Sequence, residues 1–87
     1  MAALFNITIS TRDRLVYQGA CVSAVAPGEM GYLGILANHA PLITILAQGD
    51  IILKNDRANI IKFHSTGKGF LEVLKNNVTI LLDSAAN

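Results

Sequence analysis

The sequence predicts an all-β fold, a sandwich or a barrel, and three observations carry the prediction. Short runs rich in Ile, Val, Leu and Thr recur at intervals of about 8–12 residues. Gly, Asn and Asp punctuate them. No segment holds a sustained 3.6-residue apolar period, so little or no helix is expected. The 87 residues make one expected domain, 1–87, near the lower end of what folds unaided.

The elements follow in order along the chain. Phe5, Ile7 and Ile9 alternate with Asn6, Thr8 and Ser10, which describes a half-buried strand. Thr11 to Arg14 form a polar turn. A strand starts at Leu15–Tyr17, with a kink or bulge expected at Gly19. Ala20, Val22 and Ala24 then alternate with Cys21, Ser23 and Val25, and Pro27-Gly28 ends the run. After "GYLGILANHAP" (Gly31 to Pro41), Leu42–Leu46 reads as a strand and Gly49-Asp50 as a turn. Ile51–Lys54 and Ile60–His64 bracket "NDRAN" as a hairpin, and Ser65–Gly69 is a loop. Phe70–Leu74 and Val78–Leu82 bracket "KNN", where Asn76-Asn77 supplies left-handed turn residues.

Composition excludes several classes of function. Hydrophobic residues make up 52% of the chain and charged ones only 15%, against a usual charged share of about 25%. A domain this small cannot hide so much aliphatic surface, and the excess points to a partner. The net charge is +1, with Lys and Arg scattered, which gives nucleic-acid binding no footprint. No apolar run reaches the roughly 18 residues of a spanning helix. The "MAALFNITIS" start has no basic n-region or cleavage flank, so no signal peptide is expected. The lone Cys21 fits a reducing compartment and excludes a Cys-rich zinc cage.

Catalytic chemistry finds little footing. His39 and His64 are the only imidazoles, and neither sits in a nucleophile motif. Asp13, Glu29, Asp50, Asp56, Glu72 and Asp83 fall in turns, beside them or on strand faces, where solvated charges are ordinary. Two histidines without close acidic or thiol spacing do not specify a metal site, and no metal or other cofactor is expected. Gly31-Tyr32-Leu33-Gly34 lacks the Lys-Ser/Thr of a phosphate cradle. Lys68 lies between Gly67 and Gly69, without the flanking Asp or Met pair of lipoyl and biotinyl carrier lysines. Its glycines indicate tight backbone instead.

Taken together, "GYLGILANHAPLITILAQGDI" resembles the signature of the epsilon subunit of F-type ATP synthases: Gly-x-Leu-Gly-Ile, a spacer, His-Ala-Pro-Leu, and a Gly opening the next strand. The matching residues here are Gly31, Leu33, Gly34, Ile35, His39, Ala40, Pro41, Leu42 and Gly49. "GFLEVLKNNVTILLDSA", Gly69 to Ala85, resembles the second signature. The resemblance covers nearly the whole chain, in order. It implies a flattened sandwich of about ten strands. It further implies a non-catalytic rotor subunit at the foot of the central stalk, joining the gamma subunit to the c-ring. Such a subunit is peripheral to an energy-coupling membrane, on its cytoplasmic, stromal or matrix side, and touches the membrane only through the complex. By carry-over, Thr11, His39 and Thr44 would face gamma, and Gly31 and Tyr32 the c-ring. His39 would belong to a contact surface on a turn shaped by Gly31 and Gly34, with Pro41 setting the entry to the next strand. The other reading is a stand-alone β-sandwich that binds a peptide or a small ligand.

Three departures qualify the resemblance. Tyr32 stands where many members carry an acidic residue, so an aromatic contact would replace a charged one. Gly67-Lys68-Gly69 replaces a glycine pair. Most members continue into a helical hairpin that carries inhibition and, in some, ATP sensing. This sequence stops at Asn87, as a naturally short member or a piece ending at the domain boundary would. The hairpin's functions are not expected of it.

Overall fold

A computed structural model describes residues 3–86. Met1, Ala2 and Asn87, at the limits of the expected domain and of the "MAALFNITIS" segment, lie outside the described residues. The described chain contains nine strands and no helix: β1 (Phe5–Thr11), β2 (Leu15–Gly28), β3 (Gly31–Ile35), β4 (Leu42–Leu46), β5 (Gly49–Asn55), β6 (Ile60–Ser65), β7 (Gly69–Leu74), β8 (Asn77–Leu82) and β9 (Ala85–Ala86). They form one continuous pairing path, β1-β8-β7-β4-β2-β5-β6-β9, with β3 added to β2 and β1 also paired to β2. All pairings are antiparallel except β1–β8, which runs parallel from Asn6↔Asn77 to Thr11↔Leu82.

The path folds over on itself because β2 serves two layers. Its first half pairs with β1, from Phe5↔Cys21 to Ser10↔Leu15. Its second half pairs with β3 and β5. The layers meet face to face: the Tyr17 ring of β2 lies 5.7 Å from the Phe63 ring of β6, centroid to centroid and tilted. The core between them contains Phe5, Ile7 and Ile9 of β1, Leu71 and Val73 of β7, Val78, Ile80 and Leu82 of β8, and Ile51 and Leu53 of β5. Strict alternation places them there, since strand side chains point to opposite faces in turn.

Strand β2 departs from its expected alternation. Cys21 and Ala24 are both fully buried although three residues apart. The register to β5 slips between Cys21 and Ser23, and the extra residue of this bulge reverses which parity faces inward. The inward set is therefore Cys21, Ala24 and Ala26, not Ala20, Val22 and Ala24. The bulge lies beyond Gly19, which keeps regular pairing with Ile7. A second irregularity, between Ile9 and Ser10, skips Val16 opposite β1.

Turns and strand limits show smaller corrections. The β7–β8 reversal is made by Lys75 and Asn76, with φ of +51° and +62°, a type I′ geometry. Asn77 already belongs to β8, so the turn sits one residue earlier than Asn76-Asn77. Gly31–Ile35 is a strand rather than a loop, and Ser65 and Gly69 end and begin strands rather than lying between them. Gly49 opens β5 rather than turning the chain. Its φ is +155°, and a Cβ there would lie 2.9 Å from Pro27 and 3.2 Å from the Tyr32 hydroxyl. The "NDRAN" hairpin forms as expected. Asn55 Oδ1 accepts from the backbone N–H groups of Arg57 (2.9 Å) and Asn59 (3.0 Å).

Two substitutions separate core from surface. Leu71→Ala, in the closed core, will lower unfolding free energy by about 2–5 kcal/mol in denaturant titrations. Ile43→Ser, at a side chain 73% exposed, will shift it by no more than about 0.5 kcal/mol.

Candidate interaction surface

The outer face of the layer β1-β8-β7-β4 is unusually apolar. Register aligns Ile45 with Phe70 and Phe70 with Leu81 across three strands. All three point to solvent, as do Ile43 and Leu74 nearby. Glu72, Thr79 and Thr8 align in the next row beside Ile43, and Ser10 beside Leu81 and Asn6 and Asn77 beside Leu74 are the other polar members of this face. A shallow groove of about 460 Å³ runs over Ile45, Phe70 and Leu81, with Arg12, Lys68 and Asp83 around it. Arg12 and Asp83 form an exposed ion pair at 3.5 Å, and Lys68 lies 3.9 Å from Glu29. Exposed pairs of this kind add little stability. The groove is open and lacks the enclosed, converging polar groups that orient small ligands; its form suits a protein surface.

The β2–β3 hairpin makes a second exposed apolar site. Gly28 pairs with Gly31, leaving Glu29-Met30 as its tip. Gly31 takes φ +133°, a conformation that favours glycine. Gly34 is different. Its backbone is ordinary and a Cβ would meet nothing within 4 Å, so this turn does not depend on both glycines. Met30 is 99% and Tyr32 63% exposed. The Tyr32 hydroxyl leans back towards Gly49 beside Pro27.

Thr11, His39 and Thr44 do not form one cluster on a sheet face. Thr44 alternates with the exposed Ile43 and Ile45 and is itself half-buried, opposite Leu71. Thr11 ends β1, three strands away across β8 and β7, a lateral separation of about 14 Å at the usual strand spacing. Its hydroxyl accepts from the Asp13 N–H at 3.3 Å, within its own turn. His39 lies in the β3–β4 connection, half-buried. Its Nδ1 lies 2.7 Å from the Ala40 carbonyl and must donate to it, which leaves Nε2 of the neutral ring as an acceptor.

Two contacts escaped sequence reasoning. The β5–β6 register sets His64 opposite Asp50, with Nδ1 to Oδ1 at 2.8 Å and Lys62 Nζ 3.5 Å from the other carboxylate oxygen. The hydrogen bond to His64, then the nearby Lys62 charge, hold the Asp50 carboxyl below its ordinary range against slight desolvation. These groups are exposed, no nucleophile lies within hydrogen-bond reach of His64, and no cluster of three metal-ligating side chains occurs among the described residues. The second contact joins Asn38 and Asn76, whose side chains meet across 38 positions of sequence. Neither contact had a local signal: strand register brings Asp50 to His64, and the meeting of the β3–β4 connection with the β7–β8 turn brings Asn38 to Asn76. Cys21 is buried in the core, and burial raises its thiol pKa, with a lesser contribution from Asp56.

The fold is a β-sandwich that carries exposed apolar surfaces. Residues 4–87 match the family described as "ATP synthase, Delta/Epsilon chain, beta-sandwich domain", and the chain belongs to that family. It is 42% identical over 85 residues to the ATP synthase epsilon chain of Moorella thermoacetica, covering 98% of this chain and 62% of that protein. It is 41% identical over 87 residues to the epsilon chain of Dichelobacter nodosus, covering 99% and 59%. The chain thus spans about three-fifths of the length of these relatives. Two solved structures share the fold. One is a chain of the Euglena gracilis mitochondrial ATP synthase OSCP/F1/c-ring structure, with TM-score 0.90 and 20% identity over 99% of this chain and 54% of that one. The other belongs to the Tetrahymena thermophila ATP synthase central stalk/c-ring structure, with TM-score 0.82 and 13% identity over 99% and 68%.

The Asp50–His64 pair predicts a pH dependence. A carboxyl whose folded pKa is lowered stabilises the fold above its unfolded pKa, and this contribution is lost as pH falls through the folded value. The difference in melting temperature between the parent and Asp50→Asn will be small but present near pH 6. It will be lost only as pH falls through the lowered folded-state value of Asp50. In an NMR titration, His64→Ala will move the Asp50 midpoint up towards the ordinary carboxylate value.

Proposed function

We propose that this chain is the β-sandwich portion of an epsilon-type subunit in the central stalk of an F-type ATP synthase, and that residues 1–87 form a single domain. It joins gamma to the c-ring and helps transmit proton-driven rotation to distant catalytic subunits. It makes and breaks no bonds itself. It lies peripheral to the energy-coupling membrane, on the side from which the stalk rises, the cytoplasmic side in a bacterium and the stromal or matrix side in an organelle. The observation that carries this reading is the family match over residues 4–87.

Geometry supports the assignment of contacts. Gly31 and Tyr32 sit at the tip of the β2–β3 hairpin beside the fully exposed Met30, and a projecting apolar tip suits a contact with the ring. Thr11 and the His39 loop lie at the ends of β1 and β3 and are assigned to the gamma side by the family resemblance, as is Thr44, which is half-buried within β4. The aliphatic surface left outside the core needs cover of this kind. Tyr32 here gives an aromatic anchor rather than a charged one.

The test is binding of variants to a purified gamma–c-ring subcomplex, with thermal melts as the folding control. Tyr32→Ala will weaken ring attachment by about 2 kcal/mol or more if the ring anchors it, while its melt stays that of the parent. Thr44→Glu will weaken the gamma contact. Parent-like binding by both variants would mean that these contact positions are wrong.

A further inference from the structure

We propose that Asn76 is a positioning residue for the His39 contact, acting through Asn38; this rests on the stalk reading above. Residues 36–41 connect β3 to β4 without strand pairing. At the middle of this connection Asn38 adopts φ +66°, and across from it Asn76 adopts +62°. The two exchange hydrogen bonds. The Asn38 backbone N–H donates to Asn76 Oδ1 at 2.5 Å, and Asn76 Nδ2 donates to Asn38 Oδ1 at 3.1 Å. The Asn76 carbonyl also accepts from the Asn6 N–H at 2.9 Å. One residue therefore ties the start of β1, the β7–β8 turn and the His39 loop together.

Glycine satisfies a left-handed backbone at lower conformational cost than asparagine. Turn geometry alone therefore does not call for asparagine at both positions. What asparagine adds is the reciprocal amide pair, and that pair holds the residue immediately before His39. With Asn38 fixed, the chain leaves in one direction. The Nδ1–H bond to Ala40 then fixes the ring, so that Nε2 is presented as an acceptor to a donor on gamma. A loop already held in its bound shape loses less freedom on association.

The experiment uses the full chain and purified gamma subunit. Asn76→Gly and Asn38→Gly both keep the left-handed backbone; the first removes both bonds, whereas the second removes only the bond to Asn38 Oδ1 because the N–H of residue 38 remains, and failure of one variant to fold leaves the other. Hydrogen exchange of the Asn38 amide will accelerate in Asn76→Gly by about two- to tenfold, the range expected for net loss of one hydrogen bond. Calorimetric affinity for gamma will fall by a similar factor in Asn76→Gly and by a smaller one in Asn38→Gly, which keeps the bond from the residue 38 N–H. In a His39→Ala background, Asn76→Gly will cause no further loss. Unchanged exchange, parent-like affinity in a folded variant, or an equal loss with and without His39 would each overturn the proposal. If the parent chain itself fails to bind gamma, the stalk reading falls and this proposal with it. If the parent binds and the variants match it, only the positioning role falls.

Discussion

Everything in this domain depends on one strand serving two layers. Strand β2 runs unbroken from Leu15 to Gly28, pairing first with β1 and then with β3 and β5. A straight strand would present one parity to the core throughout. The bulge between Cys21 and Ser23 changes that parity at the point where neighbours change. Cys21 can then close the first layer while Ala24 and Ala26 close the second. The residues at this crossing are small or sulfur-bearing, as the space between two converging layers requires. Without the reversal, Val25 would turn inward and Ala24 outward, and the facing Leu53 and Ile35 would lose their packing partners.

The core does not absorb the chain's apolar content. Among the described residues sixteen hydrophobic ones are buried, whereas twelve large ones remain exposed. Part of the exposed set is organised, Ile45, Phe70 and Leu81 by register into a row across β4, β7 and β8 and Met30 and Tyr32 at the β2–β3 hairpin. Such order is what separates a contact surface from scattered surface leucines, which need no explanation. The same register places charges sparsely, so that few desolvation costs oppose burial of these surfaces.

Much of this architecture was legible in the residues. β1, β7 and β8 alternate without a fault, and "NDRAN" forms the hairpin its asparagine-rich ends predict. β2 was misread because a bulge has no fixed residue type: nothing in Cys21-Val22-Ser23 announces an extra residue. The β7–β8 turn was displaced by one because Lys75 adopts a left-handed conformation that its side chain does not favour. The site was less legible than the fold. Tyr32 and His39 were visible as unusual residues. The amide pair of Asn38 with Asn76, and Asp50 beside His64, depend on strands meeting and carry no spacing rule. Gly34 was credited with a conformational need that Gly31 and Gly49 bear instead.

The parallel pair between β1 and β8 has a consequence for how the protein is made. Every other strand pair is antiparallel, but this one joins Asn77–Leu82 to Asn6–Thr11, about seventy residues earlier in the chain. A ribosome delivers all of β1 to β7 before β8. Until β8 emerges, the first layer lacks the strand that joins β1 to β7, and a hairpin of β1 with β2 is marginal alone. Phe5, Ile7 and Ile9 therefore stay incompletely sheltered until β8 arrives. Contacts of such long sequence separation slow folding and lengthen exposure of sticky intermediates. The first layer cannot close until Leu82 is free to pair, and the domain's demand on chaperones falls in the interval before that.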